Sequence, residues 1–182
     1  LFSERMCRHF TEDFKLDTRV VRYHNIYGPL GTYDGGREKA PAAICRKIIK
    51  AKINKENSIE VWGDGEQTRS FLYIDDCIEG TIKVFESEFD DVFNVGSDEQ
   101  VSINQMINIS EDIADYKVEK KYDLCKPKGV RGRSSDNVFI NNKLNWSPSI
   151  KLKSGLEKTY SWIYNQIKSG TNISKFSRSN ID

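Results

Sequence analysis

Gly35-Gly36-Arg37-Glu38-Lys39-Ala40-Pro41-Ala42-Ala43 is the stretch on which the reading of this chain turns. A glycine-rich loop runs here into a helix predicted from about Glu38 to Ala51, with Ala42, Ile44, Ile48 and Ile49 as its apolar positions. Lys39 stands at the mouth of the loop. The free amides and partial positive charge of a helix N-terminus attract anions and disfavour an ammonium, so a lysine there suits proton exchange. Taken without its neighbours, the same residue reads as a solvated lysine in a charged triplet.

Working outward, the loop from Asn25 to Gly36 holds four glycines and one proline, enough to bring backbone close to a ligand. Before it, Arg19 to Tyr23 reads as a short strand. Phe2, Met6, Phe10 and Phe14 recur at helical spacing in a helix ending near Lys15. After it, Ile59–Trp62 and Ser70–Ile74 read as two strands joined into a hairpin at Asp64-Gly65. Asp75 is the expected N-cap of a helix through about Glu86. A strand at Val92–Val95 follows, and Ser102 with Gln105 forms a capping box that opens a helix to about Asp115. Val118–Tyr122 is expected as a final edge strand. A short helix lies within 136–144, and Leu156, Tyr160, Ile163 and Ile167 trace a last helix. The alternation predicts an α/β fold whose later part is a small mixed lobe rather than a long parallel sheet. Residues 171–182, rich in Ser and Asn, are expected to be a disordered tail.

The chain has 182 residues, with 28 Lys and Arg against 27 Asp and Glu, so its net charge of +1 provides no field to gather nucleic acid or an anionic membrane. Any phosphate binding has to be local. No stretch approaches the roughly 20 apolar residues of a membrane span, and no secretory leader opens the sequence, which fits a cytoplasmic protein. Cys7, Cys45, Cys77 and Cys125 match no zinc spacing and suggest no disulfide framework, so reduced, buried thiols are expected. The start, without methionine and on residues that read as mid-helix, points to a fragment.

A sugar nucleotide needs cations, amides and apolar surface in one cleft. Asn25 can donate to a phosphate or a sugar hydroxyl, or merely tolerate a left-handed turn. Gln67, Thr68 and Arg69 follow the turn. Arg69 suits a phosphate, with a cross-strand pair to Glu60 as the bland alternative. Arg131 and Arg133 flank Gly132, a guanidinium fork for a diphosphate or simply a basic turn. Lys47 reads from its position as a surface lysine. Asp75 and Asp76 read as cap and ion-pair partners. No Gly-x-Gly-x-x-Gly occurs, the nearest approach being Gly63-Asp-Gly65-Glu-Gln-Thr68, so dinucleotide binding by this chain alone is not expected.

In order, these motifs are His24-Asn-Ile-Tyr-Gly-Pro29, Gly35-Gly-Arg-Glu-Lys-Ala-Pro41, Trp62-Gly-Asp-Gly-Glu-Gln-Thr-Arg-Ser-Phe71, Asn94-Val-Gly-Ser-Asp-Glu99 and Gly129-Val-Arg-Gly-Arg133. Together they resemble the extended short-chain dehydrogenase/reductases, and within them the GDP-mannose 3,5-epimerases, from residue 1 to about Ile167. The resemblance implies the C-terminal part of a Rossmann-type enzyme. Residues 1–37 would end the NAD-binding domain, and 38–170 would form mainly the nucleotide-sugar lobe with returning elements. It further implies Lys39 as an acid-base group and Asn25, Glu38, Lys39, Ala40, Lys47, Gln67, Thr68, Arg69 and Arg133 as contacts to a GDP-sugar. The NAD site, a Tyr-x-x-x-Lys pair and a partner cysteine would lie outside this chain, which alone would be inactive. The implied reaction inverts C3 and C5 of GDP-mannose through a transient 4-ketone, giving GDP-L-galactose, a step linked to ascorbate synthesis in plants. A homodimer formed through residues 1–14 is also implied. Departures are the extra residues around Ile53–Ser58 and Asn145, where relatives often have glycine. The competing expectations are a 4-epimerase or 4,6-dehydratase of UDP- or dTDP-sugars, and a non-catalytic sugar-nucleotide binder.

Overall fold

The computed structural model describes residues 1–126 and 129–170, so the expectation for the tail at 171–182 lies outside them. Helix α1 (Phe2–Phe14) leads through the left-handed Lys15 into β1 (Val20–Tyr23). After β2 (Ile26–Tyr27), helix α2 (Ala40–Asn54) carries Pro41 in its first turn, where a missing N–H costs nothing. It starts two residues later than expected and ends three residues later. Strands β3 (Ser58–Trp62), β4 (Thr68–Ser70) and β5 (Leu72–Tyr73) follow, then α3 (Ile74–Glu86) and β6 (Val92–Val95). Next come β7 (Gln100–Ser102), α4 (Ile103–Ala114), β8 (Glu119–Asp123), β9 (Gly132–Arg133), α5 (Val138–Leu144) and α6 (Leu152–Ser169).

The pairing is α/β, with small, largely parallel sheets. β1 runs parallel to β6, β2 to β5 and β3 to β8, while β4 lies between antiparallel β7 and parallel β9. The expected hairpin is absent: β3 and β4 do not pair. Gly63 and Gly65 both take positive φ, and the turn docks on α4, with Asn104 N–H donating to the Gly65 carbonyl at 3.0 Å. A Cβ at Gly65 would lie 2.3 Å from the Asn104 side chain. The turn therefore carries the chain to a different sheet. The expected strand Ser70–Ile74 divides at Phe71 for the same reason, β4 and β5 serving separate sheets. Val118–Tyr122 is not the final strand either, since β9 completes the β4 sheet.

Two apolar cores result. In one, α2, α4 and α6 pack Ile48, Ile49, Met106, Leu156 and Ile163 with Ile59 and Val61 of β3. In the other, β6, α3 and α5 surround Trp146 with Phe93, Val84 and Ile140. Gly155 is required where α6 crosses β2 and β5, because a Cβ there would meet the Tyr27 hydroxyl at 2.2 Å. Asp75 is not the α3 cap: Tyr73 is, and Asp75 faces Lys158 at 3.8 Å. Asp76 is buried and accepts from the amides of Ser149 and Ile150 and from the Ser149 hydroxyl, fastening the approach to α6. The capping box at Ser102 and Gln105 is present as read. Asn145 stands at φ 47°, a left-handed helix end that explains why glycine suits this position. All four cysteines are free; Cys45 and Cys77 are buried, but Cys125 is exposed, against expectation, because it sits in the polar loop after β8. Burial pushes the Cys45 thiol up to about 12.

Candidate functional site

The loop ahead of α2 and the outer edge of β3 enclose a cavity of about 650 Å³. Its apolar wall is Ile44, Ile59, Val61, Ile103 and Ile107, and its polar groups come from Asp34, Glu38, Arg46, Lys47, Glu60 and Gln67. Trp62, half-exposed, lines the same space. Its indole N–H donates to Glu60 Oε2 at 3.0 Å, and Lys126 Nζ lies 5.6 Å from its ring centroid. A planar heterocycle fits such a wall, with one aromatic face, aliphatic flanks and a few fixed polar groups.

The expected site residues fall into two groups. Glu38, Ala40, Lys47 and Gln67 line the cavity. Glu38 is spent on the protein itself: one oxygen accepts from the Gly36 amide at 2.7 Å and the other from Arg46 Nη2 at 2.7 Å. Lys47 is no free surface lysine. Its Nζ donates to the Glu60 carbonyl at 2.6 Å, and burial on the wall holds its amine below the usual lysine range. Gln67 donates its Nε2 to the Trp62 carbonyl at 3.2 Å, which turns Oε1 into a buried position without a partner. Arg46 Nε is likewise buried and unpartnered. Both atoms lie behind the cavity surface rather than on it.

Thr68, Arg69, Arg133 and Asn25 form the second group, at the β4 sheet. The β4–β9 register sets Arg69 opposite Arg133. Two like charges facing one another are unfavourable unless an anion joins them. Arg69 Nη1 donates to the Thr68 carbonyl at 2.6 Å, and a side chain at Gly129 would come within 3.3 Å of its Nη2. The cross-strand pair of Arg69 with Glu60 does not form, because β3 and β4 belong to different sheets. Asn25 is left-handed at φ 43°, as the turn reading expects, and its Nδ2 donates to the Ser70 carbonyl at 3.0 Å rather than standing free. His24 lies nearby, and burial, then the positive Arg133, hold its imidazole below the usual 6.5.

Lys39 is the exposed N-cap of α2, in extended backbone, between two residues that line the cavity. Its carbonyl accepts from the Ala43 amide at 3.0 Å, while among the described residues no hydrogen bond or ion pair ties its side-chain amine. Sequence reading passed over Asp34 and Arg46, and weighed Glu60 only as a partner for Arg69.

An NAD pyrophosphate needs unoccupied amides in a glycine-rich turn between a strand and a helix. Here β5 and β7 run directly into α3 and α4, and the Gly35 and Gly36 amides are taken by Asp34 and Glu38. Gly35 and Gly36 therefore do not fit that group. Among the described residues no cluster of His, Cys, Asp and Glu is arranged for a metal, and no helix is long and apolar enough to cross a membrane.

Comparison with known proteins places this geometry. The chain is 49% identical to GDP-mannose 3,5-epimerase 1 of Oryza sativa subsp. indica over 168 residues, covering 92% of this chain and 43% of that protein. It is 45% identical to GDP-mannose 3,5-epimerase of Arabidopsis thaliana, covering 100% of this chain and 48% of the relative. It therefore spans a little under half the length of these curated relatives. Among solved structures, UDP-glucose 4-epimerase of Thermotoga maritima with UDP-glucose superposes with a TM-score of 0.82 at 26% identity, covering 91% of this chain and 52% of that one. UDP-glucuronic acid 4-epimerase of Bacillus cereus, in complex with UDP-glucuronic acid and NAD, gives 0.73 at 29% identity, covering 90% and 50%. The profile of the NAD dependent epimerase/dehydratase family matches residues 1–96, just over half of the chain, and the chain belongs to that family.

Proposed function

We propose that this chain supplies the nucleotide-sugar-binding half of a cytoplasmic GDP-mannose 3,5-epimerase, with Lys39 as one of its two acid-base groups. The observation that carries this reading is that the loop bearing Lys39 also forms the wall of the cavity, through Glu38 and Ala40. The base enters beside Trp62 and Gln67, Lys47 adds local positive charge, and the diphosphate joins Arg69 and Arg133. The hexose then lies at the cavity mouth, within the sweep of an amine that no other group holds. Residues 1–37 close the cofactor-binding domain in this assignment, and 38–170 carry the sugar nucleotide.

Hydrogens on C3 and C5 become acidic only while C4 is a ketone. That oxidation is NAD chemistry and falls to no residue of this chain. Lys39 exchanges a proton on one face of the ring, and a group outside this chain serves the other face, as inversion requires. Epimerisation at both carbons yields GDP-L-galactose, a precursor in ascorbate synthesis. The complete protein is a homodimer, paired through the exposed Phe2, Phe10 and Phe14 side of α1.

The test is incorporation of solvent deuterium by the complete protein. Wild type is expected to label C3 and C5 of GDP-mannose, and Lys39→Ala to abolish labelling while GDP-mannose still binds. Undiminished labelling in Lys39→Ala would refute the assigned role. Tighter binding of UDP-glucose than of GDP-mannose would favour a UDP-sugar 4-epimerase, the activity that the Thermotoga maritima neighbour's name carries.

A further inference from the structure

We infer that Arg46 is a positioning residue for Lys39, acting through the two carboxylates of the loop before α2; this rests on the function proposed above. Tyr33 anchors the loop in the core, its ring edge-on to Trp162 at 5.5 Å, but the glycines beyond it have no packing of their own. Gly35 and Gly36 stand at φ 97° and 84°, and nothing lies within 4 Å of where a Cβ on either would be. Its shape is held instead by hydrogen bonds. Asp34 Oδ1 accepts from the Gly35 amide at 2.9 Å, and Glu38 Oε2 from the Gly36 amide at 2.7 Å.

Arg46 joins these two arms from the rigid body of α2. Its Nη2 donates to Glu38 Oε1 at 2.7 Å, and its Nη1 lies 3.3 Å from Asp34 Oδ1. The Arg46 side chain is 17% exposed and that of Glu38 is 9% exposed, so water competes little for the pair. Lys50, one turn further along α2, adds a contact from Nζ to Asp34 Oδ2 at 3.1 Å. Lys39 follows Glu38 directly; its amine has no tie among the described residues and its carbonyl accepts from the Ala43 amide at 3.0 Å, so its place is set by Glu38 on one side and α2 on the other. A planar guanidinium can hold two separate carboxylates at fixed angles; an ammonium offers one point of charge and cannot.

The experiment pairs hydrogen–deuterium exchange of segment 34–39 with epimerisation kinetics in the complete protein, comparing the parent with Arg46→Met and Arg46→Lys. Both variants are expected to speed amide exchange at Gly35 and Gly36. Turnover kcat is expected to fall on the order of 10- to 100-fold, the cost of a misplaced acid-base group. KM for GDP-mannose is expected to stay within about threefold, since ground-state binding is not what the clamp serves. Added to Lys39→Ala, Arg46→Met is expected to cause no further loss of deuterium incorporation. Unchanged loop exchange, full activity in Arg46→Lys, or a raised KM at parental kcat would each overturn the positioning role. If Arg46→Met does not fold, Asp34→Asn removes one arm of the clamp and is read in the same way. A parent that binds GDP-mannose but exchanges no proton at C3 or C5 refutes the proposed function instead, and loop exchange in the variants still decides whether the clamp exists.

Discussion

Lys39 and Arg69 show two ways in which a single cation is readied for an anionic ligand. Lys39 projects without a partner from a helix start, whereas Arg69 is set against a second arginine by strand register. His24, beside that pair, gives the site a pH signature. Burial and Arg133 hold its pKa below 6.5, so the folded protein takes up the proton at lower pH than the unfolded chain does. Just below the ordinary value the unfolded state binds more protons; stability therefore rises with pH in that interval and is lost on acidification. The loss of denaturation midpoint between about pH 7 and about pH 5 is expected to be smaller in His24→Asn than in the parent. Equal losses in the two proteins would clear the imidazole of responsibility.

At the scale of elements, local chemistry decided where α4 begins. Ser102 and Gln105 satisfy each other's backbone amides, with Ser102 N–H donating to Gln105 Oε1 at 2.8 Å and Gln105 N–H to the Ser102 hydroxyl at 3.1 Å. Ser102→Ala is expected to lower unfolding free energy by about 1 kcal/mol, read from the denaturant midpoint at constant slope. No change would mean that α4 is held by its packing on α2 alone. The same local reasoning failed at Asp64-Gly65, where good hairpin chemistry is overruled by contacts from Asn104, forty residues later in the chain. It failed at Asp75 because Asp76, one residue on, is the carboxylate with buried work, receiving the chain at Ser149 and Ile150. Strands of two or three residues such as β2, β7 and β9 carry too little periodicity to be found at all.

At the scale of the whole molecule, the Gly35 and Gly36 amides are taken by Asp34 and Glu38, which leaves those two glycines nothing to offer a cofactor pyrophosphate. Calorimetric titration of the 182-residue chain with NAD+ is expected to show no binding, while GDP-mannose binding should persist if the cavity is intact on its own. Micromolar NAD+ affinity would overturn the division of labour. Much of the site was legible beforehand because its residues lie in motifs whose local geometry is dictated by glycine, proline and helix starts. Lys39, Gln67 and the α/β alternation could be named in this way, whereas Glu38 and Ala40 were named only through the family resemblance. Which of them bond to one another was decided only by tertiary structure. Arg46 reaching Glu38, Arg69 meeting Arg133, and Lys47 donating to a β3 carbonyl depend on helix length and on strand pairings between distant segments. A sequence states what each side chain is able to bond; folding decides which partners burial leaves within reach.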